Sequence, residues 1–467
     1  MSEELSRRDF VARAAAIGAG VMIVPRHVLG GPGHVAPSDR LRIAIIGAGG
    51  MGQNNWMQLL DEQVVAWCDV DPGYVERQVT GKLRPRQDGT VNPAAVRLKE
   101  SYDTARRYVD YRELLAQEKE LDAVVIATPD HLHAAIAAAI AVAAMRARKH
   151  VYVQKPLCWS VAEARLLTTV WRETGVVAEM GNQGHSMEGT RRIREWIRAG
   201  VIGPVREVHV WTDRPQRYWA QALPWPTQDR SRPAPAAQDI AYHPAYHPFT
   251  WRGWVPFGVG AIGDMGAHLL DQPMFALDLE HPETISASAT PWGGPADNPA
   301  SYPNAMLVQF GFGKRGSQPP VSLSWYDGGL MPPRPPFLPR ELTLPRGDGG
   351  GGVFVGERGI LTYGTYGENP RIYPDALQRD ADAVAKSVPR IELSHEANWV
   401  RACKRQGEPS APFSYSAQLT ELMLLGLVAS RAGNGTLLAY DGPAMKVTNL
   451  AGANVHLARS YRAGWEL

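Results

Sequence analysis

Arg42-Ile43-Ala44-Ile45-Ile46-Gly47-Ala48-Gly49-Gly50-Met51-Gly52 is the stretch that decides the fold. Its first half is a continuous apolar run, as expected of a strand buried on both faces. Its second half has the G-x-G-x-x-G spacing. Gly47 permits a tight turn, Gly49 lets backbone approach a pyrophosphate, and Gly52 lets the following helix pack closely on the strand. Gly50 and Met51 fall at the helix start, where free N–H groups point toward an anion. The spacing alone is weak and also fits a Gly-rich turn in an unrelated α/β domain. Here the next strand, Val64-Val65-Ala66-Trp67-Cys68, ends in Asp69. An acid at that place accepts hydrogen bonds from ribose hydroxyls and repels a 2′-phosphate. The stretch therefore predicts a dinucleotide site for NAD, with NADP the alternative cofactor.

Working outward, residues 41–183 alternate strand-like and helix-like segments. Ala123 to Ala127 is a strand ending at Thr128-Pro129-Asp130. An Ala-rich helix spans Ala134 to Ala144. Val151 to Val153 is a strand ending at Gln154-Lys155-Pro156. A helix spans Val161 to Thr174 and stops at Gly175. Val176 to Met180 runs into Gly181-Asn182-Gln183. This pattern predicts a parallel, doubly wound Rossmann sheet whose ligands lie at the strand carboxyl ends. Those ends carry Thr128, Pro129, Asp130, Gln154, Lys155, Asn182 and Gln183.

Residues 184–467 change character. Val205–Trp211, Thr284–Thr290, Ala305–Phe312 and Val321–Tyr326 are strand-like, several with period-2 alternation. Few helices separate the last three. The expectation is an α+β domain with a large, mostly antiparallel open sheet. Pro332 to Pro339 and Asp348 to Gly352 read as loops, and Leu419 to Ala429 as an amphipathic helix.

The chain has 467 residues, enough for two domains, and a formal net charge of +2, which offers no field for nucleic acid. Cys68, Cys158 and Cys403 lie far apart, without metal spacing or a disulfide framework. Trp (14) outnumbers Phe (9), a composition that suits contact with the C–H faces of sugars. The chain opens with Ser6-Arg7-Arg8-Asp9-Phe10 and an apolar run from Ala14 to Val24. That run is shorter than the about 20 residues of a membrane span. Residues 1–36 therefore read as a twin-arginine export signal, cleaved near Val35-Ala36 or retained before Pro37. Export by that route carries folded protein, so a cofactor can travel inside it to the periplasm.

Two further groups carry chemistry. Lys155 at a strand's carboxyl end points toward the nicotinamide crevice, against the ordinary reading of a surface lysine. In Gly263-Asp264-Met265-Gly266-Ala267-His268, a helix would put Asp264 and His268 on one face. A helix cap beside a core histidine is one reading. A base for a substrate hydroxyl with a carboxylate beside it is the other.

At this point the chain resembles the Gfo/Idh/MocA family of oxidoreductases. The matching residues are the glycine loop, Thr128-Pro129 with His133, Lys155-Pro156, and Asp264 with His268. It is most similar to an exported subgroup marked by Gly181-Asn182-Gln183-Gly184-His185, Trp251-Arg252-Gly253-Trp254, Trp325-Tyr326-Asp327-Gly328-Gly329 and Tyr461-Arg462-Ala463-Gly464-Trp465. The resemblance implies a catalytic set of Lys155, Asp264 and His268, with Asp264 orienting His268. It also implies a cofactor edge that includes His133, a sugar or polyol substrate, and a homo-oligomer formed through the open face of the second sheet. His185, Trp251, Arg252, Trp254, Trp325 and Tyr326 become candidates for the substrate pocket. The family has Glu where Gln154 stands, so a charge that would favour protonated Lys155 is missing. Two rivals remain: a redox-neutral, NAD-dependent glycoside-cleaving enzyme that works through a keto intermediate, and a non-catalytic ligand-binding protein on the same fold.

Overall fold

The computed structural model describes residues 36–461 except 136, 227–239, 241 and 346–348. The leader with Arg7 and Arg8, and residues 462–465 of the last motif, lie outside the described residues. The first sheet holds β1 (Arg42–Ile46), β2 (Gln63–Cys68), β3 (Arg106–Tyr108), β4 (Ala123–Ile126), β5 (His150–Gln154) and β6 (Ala178–Gly181). All neighbours are parallel and the order is β3-β2-β1-β4-β5-β6. The order reverses between β1 and β4, so a crevice opens at their carboxyl ends, beside the glycine loop and Thr128. β3 has only three residues and carries no apolar run, so nothing in its pattern announces a strand.

The helix Val161–Thr174 follows the sequence reading to its ends. Ser160 and Glu163 form a capping box, with the Glu163 carboxylate accepting from Ser160 N at 2.8 Å, and Gly175 closes the helix at φ 63°. The other Glu163 oxygen accepts from Arg459 Nε and the Tyr461 hydroxyl, which ties the chain's end back to this helix.

The second sheet holds β7 (Val205–Trp211), β8 (Thr284–Ala289), β9 (Met306–Phe312), β10 (Val321–Tyr326), β11 (Gly351–Gly356), β12 (Ile360–Gly364), β13 (Arg371–Tyr373), β14 (Leu438–Asp441) and β15 (Lys446–Val447). Their order is β13-β12-β11-β7-β10-β9-β8-β14-β15. Among the described residues only the β7–β10 pair is parallel, so the sheet is mostly antiparallel. One face packs under the helices Gly260–Leu269 and Phe413–Ala432 and joins the main core. On the other face a smaller cluster gathers Trp211, Leu338, Leu344, Val353 and Ile360.

Two expectations are corrected. The late helix runs Phe413–Ala432 and is buried on most sides rather than amphipathic. It lies between the Val161–Thr174 helix, β6 and strands β8 and β9, and a helix enclosed by protein is apolar all round. Of the stretch read as a loop over Asp348 to Gly352, Asp348 lies outside the described residues, and Gly349 and Gly350 lead directly into β11, which takes up Gly351 and Gly352. A Cβ at Gly352 would lie 2.1 Å from Cζ of Tyr363, its partner on β12, so the glycine makes room for that ring. Cys68, Cys158 and Cys403 are buried free thiols. No helix among the described residues is long and apolar enough to cross a membrane.

Candidate active site

The glycine loop is shaped by contact with its own sheet. Gly47 has φ +81°, and a Cβ there would lie 2.6 Å from the Ala127 carbonyl carbon and Thr128 N. A Cβ at Gly52 would lie 2.0 Å from the Gly47 carbonyl oxygen. Gly50, by contrast, faces open space, and the helix Gly50–Gln58 begins at Gly49 with no side chain capping its N–H groups. Asp69 closes the loop from β2. Its Oδ2 accepts from Gly49 N at 3.2 Å and its Oδ1 from Asp71 N at 3.0 Å. Burial pushes the Asp69 carboxyl above its ordinary range, against those two hydrogen bonds. An uncapped helix start, an open glycine and an acid at the end of β2 fit a dinucleotide.

Sequence reasoning missed two residues here. The Tyr74 ring covers the position a Gly49 Cβ would take, at 2.5 Å, and His247 of the second domain meets Tyr74 edge-on at 5.4 Å.

At the other end of the crevice, Lys155 leaves the end of β5 through a cis peptide to Pro156. Its Nζ donates to the Asp264 carbonyl oxygen at 2.7 Å and to Asp264 Oδ1 at 3.0 Å. Arg252 Nε donates to the same Oδ1 at 3.1 Å. Burial works to raise the Asp264 carboxyl, but Lys155 and Arg252 outweigh it and hold the group below the carboxylate range. Asp264 sits on the Gly260–Leu269 helix, whose close seating depends on Gly266: a Cβ there would meet Met423 Sδ at 2.7 Å. One turn on, His268 is 5 % exposed. Burial and then the Lys155 charge push it down to about 3, so it is neutral.

The expected Asp264–His268 partnership is not what the structure holds. Two cations take the Asp264 carboxylate, and the His268 ring turns instead to Asn182, donating from Nδ1 to Oδ1 at 3.2 Å. The Tyr366 ring closes over His268 at 4.7 Å.

The remaining candidates divide. Thr128 lies against Gly47, its hydroxyl buried and without a partner among the described residues, and Pro129 follows it at the crevice wall. Asp130 is buried below that wall, where its Oδ2 accepts from Val259 N at 3.1 Å. Burial raises its carboxyl to about 7 in spite of Arg252 and Lys155. His133 is buried as well, with Nδ1 donating to Pro156 O at 2.7 Å, and burial lowers it to about 4. Through these atoms both tie neighbouring segments of the crevice wall together. Gln154 Nε2 donates to Asn55 Oδ1 at 3.0 Å, and Asn55 Nδ2 donates to Glu396 Oε1 at 2.8 Å. Gln183 Nε2 reaches the same Glu396 oxygen at 3.3 Å. A carboxylate from the second domain thus stands behind the strand ends, next to the position that lacks one in β5. Nothing in the local sequence around Glu396 signals this.

Four substrate candidates are corrected. His185 is buried between Phe275 and Tyr415, its Nδ1 bonded to Asp271 Oδ1 at 2.7 Å. Trp325 is fully enclosed in the core, with Nε1 donating to Asp327 Oδ2 at 3.0 Å. Tyr326, its neighbour on β10, must point to the opposite face of the sheet, where its hydroxyl meets His209 Nδ1 at 3.2 Å. Trp254 is buried against Tyr246 and donates to Ala245 O at 3.1 Å. Arg252 and Trp251 do stand at the crevice, with the guanidinium 4.3 Å from the Trp251 ring and 4.2 Å from the Phe249 ring.

Residues 41–182 match the family described as "Oxidoreductase family, NAD-binding Rossmann fold" (GFO_IDH_MocA). Among curated proteins, the chain is similar to 1,5-anhydro-D-fructose reductase of Ensifer adhaerens, 27 % identical over 180 residues, which cover 38 % of this chain and 44 % of that protein. The chain spans about half the length, or less, of the curated relatives it matches. Two solved structures share the fold. One is the WlbA dehydrogenase from Bordetella pertussis in complex with NADH and UDP-GlcNAcA, with TM-score 0.56, 17 % identity, and coverage of 86 % of this chain and 99 % of that one. The other is an inositol dehydrogenase homolog from Azotobacter vinelandii complexed with NADH and myo-inositol, with TM-score 0.52, 19 % identity, and coverage of 86 % and 98 %. The first sheet is therefore that of an NAD-binding Rossmann fold.

Proposed function

We propose that this chain is an exported, NAD-dependent oxidoreductase that acts on a CH–OH group of a sugar, glycoside or polyol. The observation that carries the reading is the convergence of Lys155 and Arg252 on Asp264, with neutral His268 one helical turn away. Bound NAD supplies the two-electron acceptor for the carbinol hydrogen. Lys155 Nζ has three N–H groups and spends two on Asp264, so the third is free for the reacting oxygen. That contact stabilises negative charge developing on the oxygen. His268 donates from Nδ1 to Asn182, which leaves Nε2 with a lone pair to accept the hydroxyl proton. Asp264 fixes the Lys155 ammonium and the Arg252 guanidinium.

The segment 243–259 of the second domain supports a cofactor that stays bound. It meets Tyr74 through His247, bonds His131 through Phe257 O and Asp130 through Val259 N, and accepts the Trp159 indole N–H at Val255 O and Gly258 O. It thus spans the crevice from the Asp69 end to the Lys155 end. Export through Arg7-Arg8 belongs to the same proposal, as does a homo-oligomer formed on the sheet face that carries Tyr326 and His209.

Lys155→Ala and His268→Ala test the reading. Each should lower turnover by about 100-fold or more, while His268→Ala leaves NAD affinity nearly unchanged. Near-normal turnover in either variant removes that residue from the mechanism. Export is tested by changing Arg7 and Arg8 to Lys, which should trap the protein in the cytoplasm.

A further inference from the structure

The carboxyl ends of β5 and β6 bear on two sides. Val153 joins the main core with Ala267 of the Gly260–Leu269 helix, and Lys155, two residues on, reaches Asp264 of that helix at 3.0 Å. Tyr152 joins the other core, where its ring lies 5.5 Å from Trp399 of the helix His395–Cys403. Gln154 shares the face of Tyr152, since alternate residues of a strand point the same way. Just past β6 the division repeats. Asn182 meets His268 at 3.2 Å, while Gln183 reaches Glu396 at 3.3 Å.

Glu396 gathers the second side. It is 5 % exposed. Its Oε1 accepts from Asn55 Nδ2 at 2.8 Å, from Gln183 Nε2 at 3.3 Å and from the Tyr152 hydroxyl at 3.4 Å. Asn55 Oδ1 in turn accepts from Gln154 Nε2 at 3.0 Å. A carboxylate oxygen only accepts, so Asn55 must spend its amide N–H on Glu396 and turn its oxygen to Gln154. Gln154 must then present its own N–H. One acceptor thereby sets the orientation of the Asn55, Gln154 and Gln183 amides. Space is kept for this chain of bonds: a Cβ at Gly181, the β6 partner of Gln154, would lie 2.6 Å from Gln154 Nε2. His395, beside Glu396, bonds Met180 O at 2.8 Å and Ser186 Oγ at 2.7 Å, which holds the helix start against β6.

We propose that Glu396 is a positioning residue for the oxidation: by holding Gln154 and Gln183 it fixes their neighbours Lys155 and Asn182, and through Asn182 the tautomer of His268. This deepens the oxidoreductase reading and rests on it. Among the described residues Glu396 bonds neither Lys155 nor His268, so it acts only through the strand ends. A displacement of about 1 Å at a reacting group is enough to cost up to about 100-fold in rate.

The deciding readout is the His268 tautomer, which needs no substrate. It is read by nitrogen NMR of histidine-labelled protein, with the His268 signals assigned by their loss in His268→Ala. The parent should show the Nδ1–H form alone. Glu396→Ala should add the Nε2–H form, and Gln183→Ala, which cuts only the arm beside Asn182, should do the same if Glu396→Ala does not fold. Glu396→Gln keeps an oxygen for Asn55, Gln183 and Tyr152 and should return the parent spectrum. With D-glucose and myo-inositol as probes, Glu396→Ala should lower kcat by about 10- to 100-fold, with KM and calorimetric NAD affinity within about 2-fold of the parent. Glu396→Gln should recover most of that loss. A parent spectrum in folded Glu396→Ala or in Gln183→Ala overturns the proposal, and so does a Glu396→Gln variant as altered as Glu396→Ala. Turnover that depends on Lys155 and His268 but not on Glu396 would leave the oxidoreductase reading standing without this one. A tautomer shift in a protein that reduces nicotinamide with no probe would do the reverse.

Discussion

Asn182 is the residue on which the proposed chemistry turns, because it fixes which His268 nitrogen carries the proton. Asn182→Ala frees the ring to adopt either tautomer without changing any charge. It should lower kcat about 10-fold with KM little changed, whereas a purely structural loss would move stability and both constants together. The buried histidines also have a consequence for stability. Burial lowers His133 to about 4 from an ordinary value near 6.5. Between those values the unfolded chain binds a proton that the folded chain refuses. Stability is therefore complete above the ordinary value and falls as pH drops toward 4. His133→Asn keeps a donor for Pro156 O and cannot take up that proton. Denaturation at about pH 7 and about pH 4.5 should differ less in the variant than in the parent, by up to about 3 kcal/mol. An unchanged difference would mean that His133 is charged in the folded protein. The glycine loop and Asp69 form a local strand–turn–helix pattern that the sequence shows directly, whereas Lys155, Asp264 and His268 became a set only through the family resemblance. The structure brings Lys155 onto Asp264, with His268 one helical turn on. The exchange of Asp264 for Asn182 as the partner of His268 was not legible, since it depends on which cations reach a carboxylate from β5 and from the Thr250–Gly253 turn.

Elements were legible where the signal is local. The helix Val161–Thr174 carries its own capping box and stop glycine, and β7 and β10 interleave apolar and polar residues over part of their length and end where the chain's pattern places them. β11 is hidden because its glycines belong to the neighbour's needs: the Tyr363 ring fills the place where a Gly352 side chain would stand. Gly352→Ala must then push that ring or the strand aside. It should cost about 1–3 kcal/mol, the usual scale of overpacking in a tight core, read as a lower denaturation midpoint with an unchanged m-value. A midpoint within error of the parent would mean that Tyr363 has room to move. The Phe413–Ala432 helix misleads in another way. Its amphipathic reading assumed a solvent face, and the fold supplies protein on nearly every side.

At the scale of the molecule, the segment 243–259 of the second domain is bonded to the first domain beside the crevice, and this joins the proposed cofactor retention to the proposed export. Little free NAD is available outside the cytoplasm, so an exported enzyme that released its cofactor at each turnover would lose it. The segment 243–259 is bonded to Trp159, His131 and Asp130, and we propose that it must part from them before the cofactor leaves, which slows release. The protein should therefore retain NAD through dialysis and turn over without added cofactor when given both a hydroxyl donor and a carbonyl acceptor. Its kinetics should be ping-pong, with the second substrate returning the bound nicotinamide to its starting state. Trp159→Phe removes the indole N–H that holds Val255 O and Gly258 O while keeping an aromatic ring in place. That variant should lose NAD on dialysis about 10-fold faster, since removing the one shared N–H leaves Val255 O unpaired at a cost of about 1–3 kcal/mol, and a factor of ten is about 1.4 kcal/mol. Added NAD should restore its activity, which separates faster release from damage to the catalytic groups. Parent enzyme that is inactive after dialysis until NAD is supplied would show that the segment does not hold the cofactor in.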